Sequence, residues 1–202
     1  MKYASMSGIT GQVSLPPGYL FVGGTLVGKQ VIIANTDISN QDLGPTDLTQ
    51  AQLFNVKIEG IKSGDIANAQ IKLPTGWKLL GGYLVGPGAN LSSASITSVD
   101  LTDVDLTGVT LTNFRSTALR GSPKLCAGCK LIAGYLIGPG ANLSNLNLLG
   151  ADLTGVNLTN CNLTGVTLFG ATLSGVISGG ITGTPKSLPK GWALVNGSLV
   201  QN

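Results

Sequence analysis

The sequence repeats an apolar residue at every fifth position, a spacing that fits neither an α-helix nor an ordinary strand. In the longest run a leucine stands at the centre of seven consecutive pentads, with a small or apolar residue two places before it. The leucines are Leu143, Leu148, Leu153, Leu158, Leu163, Leu168 and Leu173. Residues two apart on an extended chain point to the same side. Each pentad is therefore predicted to be a short strand followed by a corner, with the leucine facing a core.

Several of these pentads carry a recognisable pattern. Residues 89–93 (ANLSS) and 151–155 (ADLTG) match A(D/N)LXX residue for residue, and in this they resemble pentapeptide-repeat proteins. The resemblance implies an all-β fold, a right-handed quadrilateral β-helix in which four pentads make a coil of about 20 residues and coils stack about 4.8 Å apart. A looser run passes through Ile33, Ile38, Leu43, Leu48, Leu53 and Ile58.

The register of this β-helix predicts which charged residues lie next to one another. Positions 20 apart should lie above one another, which places Asp37 on Lys57 and Asp42 on Lys62. Opposite charges on adjacent coils favour this register over a slip by one residue.

A second, longer period separates the pentad tracts. A segment typified by LPTGW occurs at residues 15–19, 73–77, 125–129 and 188–192, and each copy runs into two apolar stretches around a short turn ending in glycine. Such a pattern predicts a tight β-hairpin with a primed turn. We expect one continuous solenoid over 1–202, with modules of about three coils, one of them supplied by the hairpin segment. Its internal segments are 1–14, the end of a preceding-type module; 15–72; 73–124; 125–187; and 188–202, a terminal half-module.

The two ends of this arrangement allow two interpretations. The terminal half-modules either fold over the ends of the solenoid as caps, or dock head to tail between copies, a contact that propagates into a filament. The assembly residues predicted on the second interpretation are Gly8, Ile9, Leu15, Tyr19, Leu188, Trp192, Leu194, Val195, Leu199 and Val200.

Composition limits the chemistry available. There is no histidine, only 10% of residues are charged, and the net charge is +3 with the basic residues scattered. These features argue against an enzyme, a nucleic-acid partner, a cofactor or a small-molecule substrate. No apolar run is long enough for a membrane span and no signal peptide is visible. We expect a soluble chain, cytoplasmic by default or part of a particle or extracellular assembly.

The three cysteines and the junction aromatics have structural interpretations. Cys126 and Cys129 have the CxxC spacing of redox and zinc sites but replace the proline and the aromatic residue of the other junctions. We therefore expect a structural role, as free thiols or a local disulfide, with redox activity and metal binding as the alternatives. Cys161 occupies a small inward pentad position, and zinc would need more ligands than these residues supply. Trp77 and its equivalents Tyr19 and Trp192 are expected to pack into the core or under the hairpins.

The sequence therefore favours a non-enzymatic structural or interaction protein, a rigid rod that self-associates. One alternative is gyrase binding by DNA mimicry, the activity best known in the family, although mimicry needs an acidic surface and Glu59 is the only glutamate. The other is an ice-binding solenoid, since Ser144, Thr164 and Thr184 stand 20 residues apart.

Overall fold

The computed structural model describes residues 14–66 and 70–202, and within these every regular element is a β-strand. Twelve strands are formed there: β1 Leu20–Val22, β2 Thr25–Val27, β3 Ile32–Ala34, β4 Gln52–Phe54, β5 Lys78–Leu80, β6 Tyr83–Val85, β7 Ser95–Thr97, β8 Arg115–Thr117, β9 Lys130–Ile132, β10 Tyr135–Ile137, β11 Trp192–Val195 and β12 Ser198–Gln201. None of the described residues belongs to a helix that could cross a bilayer. The all-β prediction is confirmed.

Four antiparallel hairpins follow the four junction segments, as the sequence predicts. The pairs are β1–β2, β5–β6, β9–β10 and β11–β12. Both central residues of every turn have positive φ, for example 47° at Asn196 and 76° at Gly197. This is the primed turn whose twist suits a two-residue hairpin.

Between the hairpins, residues 20 positions apart pair in parallel. Strand β3 pairs with β4, and β7 with β8, in this register. Single bridges join Asp37 to Lys57 and Asp42 to Lys62, which confirms the predicted stacking of opposite charges. Lys62 Nζ lies 2.9 Å from Asp42 Oδ2. The chain therefore forms stacked parallel coils, the defining feature of a β-helix.

The internal geometry of one pentad explains the repeat pattern. Asp152 Oδ1 accepts a hydrogen bond from the backbone N–H of Thr154 at 2.9 Å, and the carbonyl of Leu153 accepts one from the N–H of Val156 at 3.0 Å. Gly155, between them, has a φ of 70°, which favours glycine or asparagine at that position. In many pentads a single residue pairs with the adjacent coil, because the turn takes up much of the pentad. The sequence suggests a full short strand in each pentad.

The contacts within the chain cluster into two compact units. The first unit comprises Met1–Leu91 and Asp103–Val109, and the second comprises Ser92–Thr102 and Thr110–Asn202. In each unit the predicted column is the core: the six residues of the run from Ile33 to Ile58 are at most 2% exposed, and so are the seven leucines from Leu143 to Leu173. The single solenoid over 1–202, its five segments and its right-handed quadrilateral form stay predictions.

The hairpins enlarge a coil and do not make one of their own. In the first unit Lys62 bridges to Asn90, 28 positions later, where other coils are offset by 20. In the second unit the N–H of Asn142 donates to the carbonyl of Phe114, again 28 positions away. The hairpin is thus an insertion of about eight residues, whereas the sequence suggested that the hairpin segment supplies a coil.

Candidate interaction surface at the fourth hairpin

The fourth hairpin presents two faces of opposite character. Side chains alternate between the faces of a strand, and here Trp192, Leu194 and Leu199 pack against the core of the second unit, with Leu199 only 7% exposed. On the other face Val195 is 48% and Val200 37% exposed. The hairpin is therefore anchored on one side and apolar towards solvent on the other.

A serine of the preceding coil fixes this anchor. The backbone N–H of Leu199 donates to Ser178 Oγ at 3.0 Å, and the N–H of Ile181 donates to the carbonyl of Gly197 at 3.0 Å. The second and third hairpins dock in the same way, each through a serine 20 or 21 positions before the leucine in the middle of the second strand. These bonds run from Leu84 to Ser63 Oγ and from Leu136 to Ser116 Oγ, both at 2.9 Å. Sequence analysis missed these serines, which aligning the modules would have found.

The glycines of the four junction segments differ in what lies against them among the described residues. In the third hairpin a Cβ added to Gly128 would lie 2.6 Å from Asn157 Cβ, and the N–H of Asn157 donates to the Gly128 carbonyl at 2.8 Å. Gly18 of the first hairpin is covered similarly. A Cβ at the equivalent Gly76 would meet only the Pro87 ring, at 3.7 Å, and one at Gly191 would meet no atom of the described residues within 4 Å. The Gly191 carbonyl accepts from Asn202 at the hairpin's own end.

The other predicted assembly residues are distributed unevenly. Gly8 and Ile9 lie outside the described residues. Leu15 and Tyr19 are half-buried, and the Tyr19 hydroxyl donates to the Lys29 carbonyl at 3.1 Å. Leu188, like Trp192 and Leu194, packs against the core, so Val195 and Val200 are the members of the C-terminal set that face solvent most openly.

The carboxylates Asp152 and Asp42, whose pKa values are lowered, belong to the coil turns. Hydrogen bonds from the side chain and the backbone of Thr154 lower the pKa of Asp152 to about 2, with a smaller contribution from Lys130, whose Nζ lies 3.0 Å from Asp152 Oδ2. The pKa of Asp42 is lowered chiefly by the hydrogen bond from Lys62. These groups stabilise turns and adjacent coils.

The repeats found in the structure are also recognised at the level of sequence families. Residues 87–113 and 140–175 match the family model described as pentapeptide repeats, in eight copies. The chain is a pentapeptide-repeat protein. No curated protein matches this pentapeptide-repeat sequence.

Solved structures similar to this pentapeptide-repeat protein include HetL, which is involved in heterocyst differentiation regulation in the cyanobacterium Nostoc sp. strain PCC 7120. The identity is 18%, covering 75% of this chain and 89% of HetL, with a TM-score of 0.32. Rfr23 from the cyanobacterium Cyanothece 51142 is 17% identical over 79% of this chain and 83% of its own, with a TM-score of 0.23. QnrB1, a plasmid-mediated fluoroquinolone resistance protein, is 15% identical over 74% of this chain and 63% of its own, with a TM-score of 0.25.

The cysteines of this pentapeptide-repeat protein lie in the second unit. Cys126 and Cys129 form a disulfide with a Cα–Cα distance of 5.2 Å. Cys161 is a free, fully buried thiol, and burial raises its pKa to about 11. No cluster of three or more metal-ligating side chains occurs among the described residues.

Four large apolar side chains among the described residues depart from the polar pattern of the coil surface: Phe54, Leu149, Phe169 and Ile177. Leu149 and Phe169, both in the fourth position of their pentads and 20 residues apart, are 60% and 63% exposed. Sequence analysis missed them, although the signal was present, because the fourth position holds threonine or serine in most neighbouring pentads.

Proposed function

We propose that this pentapeptide-repeat protein is a non-enzymatic structural or interaction protein, a rigid β-solenoid rod that self-associates head to tail. The fourth hairpin of one copy contacts the first-hairpin end of the next. The observation that carries the proposal is the apolar outer face of the fourth hairpin, where Val195 is 48% and Val200 37% exposed, while Trp192, Leu194 and Leu199 on its inner face pack against the core.

The exposed valines supply the apolar centre of this contact. Val195 and Val200 lie on the outer face of a hairpin whose inner face is already packed. Removing such side chains from water stabilises association in proportion to the area buried. Two valines are far smaller than the roughly 800 Å² per partner of a stable interface, so the surrounding end of the solenoid must take part, including Leu15 and Tyr19 of the second copy.

The geometry of such a contact determines the type of assembly. The fourth hairpin and the first-hairpin end are different surfaces, so the contact is heterologous, and a heterologous contact that does not close into a ring continues as a filament. The protein would then function through the length of the filament and the surface that the filament exposes.

Sedimentation equilibrium over a range of concentrations tests this proposal. We expect the average mass of the wild type to rise with concentration. In a double variant, Val195→Lys with Val200→Lys, two charges at the centre of the contact should raise the dissociation constant about tenfold or more. Leu149→Lys, at an even more exposed apolar site on a coil, is the control and should assemble as the wild type does. A wild type that is monomeric at every concentration, or a double variant that assembles normally, contradicts the proposal.

The two alternative functions have less support. DNA mimicry needs a dense acidic surface, whereas the chain carries +3 and its Asp42 and Asp152 carboxylates are paired with lysines. Ice binding needs an exposed, regular hydroxyl plane. Ser144, the first member of the predicted ladder, is only 9% exposed and its Oγ accepts a hydrogen bond from Arg115 Nη2 at 2.6 Å.

A further inference from the structure

The last four residues of each junction segment form a turn, and the four turns share one backbone geometry. They span residues 16–19, 74–77, 126–129 and 189–192. In each, the N–H of the fourth residue donates to the carbonyl of the first, at 3.0 to 3.2 Å, and the glycine between them has a φ of 70° to 83°. The first residue is proline and the fourth is aromatic in three copies. The third copy has Cys126 and Cys129 instead, and the disulfide joins the two ends of the turn.

In the first three copies the fourth residue of the turn packs on a glycine nine positions later, which directly follows the second strand of the hairpin. A Cβ added to Gly28 would lie 2.4 Å from the Tyr19 ring, and one added to Gly86 would lie 2.4 Å from the Trp77 ring. In the third copy the same test at Gly138 meets Cys129 Sγ, also at 2.4 Å. The sulfur therefore occupies the place of an aromatic ring.

A sulfur atom fills this place less completely than a ring does. A buried aromatic side chain contributes 150 to 250 Å² of packed surface, and a cysteine side chain supplies far less. Cys129 is nevertheless only 7% exposed, held by its bond to Cys126. The turn that precedes β9 is thus closed by a covalent bond, where the turns at Trp77 and Tyr19 rely on packing.

We propose that the Cys126–Cys129 disulfide is a redox-controlled clamp on the third hairpin, β9–β10, which a dithiol reductant opens while the aromatic junctions stay closed. A thiolate of the reductant attacks one sulfur of the disulfide and forms a mixed disulfide. Its second thiol then displaces the protein sulfur. The S–S bond of the protein is broken and two protein thiols form, while the reductant takes up the disulfide and supplies two electrons and two protons.

The third cysteine does not compete in this reaction. Cys161 Sγ donates to the carbonyl of Gly138 at 3.2 Å, and Gly138 is also the residue against which Cys129 packs. Because burial raises the Cys161 pKa to about 11, this thiol stays protonated and is a poor nucleophile. An added small-molecule disulfide reverses the exchange: it takes up two electrons and two protons and leaves as two thiols, and the bond between Cys126 and Cys129 is restored.

Hydrogen exchange of the whole chain, before and after treatment with a dithiol, tests the clamp. We expect peptides covering β9 and β10 to exchange about tenfold faster or more after reduction, while those covering β5–β6 and β11–β12 do not change. Labelling of thiols in the native protein, read by mass, verifies that Cys126 and Cys129 are reduced.

Two variants control the experiment. Cys126→Pro with Cys129→Trp gives the third junction the residues of the second and fourth, and its exchange should not respond to the reductant. Cys126→Ser with Cys129→Ser should exchange rapidly with or without it, which keeps the test decisive if the first variant does not fold. The proposal is overturned if the folded protein resists reduction, if the reduced protein exchanges as the oxidised one does, or if the serine variant keeps slow exchange.

Discussion

At the scale of the residue, each position of the pentad has its own physical role. The central leucine fills the core, the Asp or Asn before it accepts the backbone N–H of the turn, and the fifth residue takes the left-handed conformation. An apolar residue is therefore stabilising at the centre of a pentad and nearly neutral at the fourth position. Leu153, which is fully buried, and Leu149, which is 60% exposed, are a matched pair for this comparison.

Truncating these two leucines should have very different effects on the free energy of unfolding. Leu153→Ala leaves a cavity among closely stacked side chains and should cost about 2–5 kcal/mol. Leu149→Ala should change stability by no more than about 0.5 kcal/mol. Denaturant unfolding followed by circular dichroism measures both. Similar losses in the two variants would mean that the core column is assigned wrongly.

The turn carboxylates predict how stability depends on pH. Hydrogen bonds to Thr154 and the nearby Lys130 lower the pKa of Asp152 from 3.8 to about 2 in the folded protein. A carboxyl whose pKa is lowered by folding binds its proton less readily in the folded state, so its stabilising effect is present above the ordinary pKa and is lost as pH falls towards the folded value. The midpoint temperature of thermal unfolding should therefore decrease as the pH is lowered from 3.8 to about 2.

The variant Asp152→Asn isolates the contribution of this group. An asparagine oxygen can still accept the N–H of Thr154, but it does not titrate and cannot pair with Lys130. Thermal unfolding between pH 2 and pH 5 should show a shallower decline than in the wild type. An identical decline in both proteins would mean that Asp152 does not contribute to the pH dependence.

At the scale of the element, the second, third and fourth hairpins each depend on one serine of the coil before them. Ser116 Oγ accepts the N–H of Leu136 at 2.9 Å, and Ser63 and Ser178 do the same for their hairpins. Leu136 is only 2% exposed. Without the serine hydroxyl its N–H would lack a partner away from water, which is costly.

Ser116→Ala should destabilise the second unit by about 1–3 kcal/mol. Exchange of the Leu136 amide should also become faster, because this is the donor left without an acceptor. The control is Ser174→Ala at an exposed coil position, which should change neither quantity. Retained protection of the Leu136 amide in Ser116→Ala would show that another acceptor replaces the hydroxyl.

Sequence periodicity predicts the parts of this fold that repeat locally. The leucine column, the primed turns at Gly23-Gly24 and Asn196-Gly197, and the stacking of Asp42 on Lys62 all follow from spacing and turn chemistry. The docking serines and the eight-residue insertion depend on contacts between distant segments, which a period of five does not contain. For the same reason the list of assembly residues did not separate exposed Val195 from buried Leu199.

At the scale of the whole molecule, the account concerns surfaces. The described residues place their core in stacked coils and their carboxylates in turns, and leave Val195 and Val200 exposed beside an uncovered Gly191. A stack of coils is stabilised at the interfaces between neighbouring repeats. On the proposal of head-to-tail assembly, the exposed Val195 and Val200 lie in the contact with a second copy of the chain.

Negative-stain imaging of the wild-type chain over a series of concentrations tests this central claim most directly. The account predicts rods that lengthen as the concentration rises, and that shorten to single particles when Val195 and Val200 are both replaced by lysine. Single particles of one size at every concentration of the wild type would contradict it.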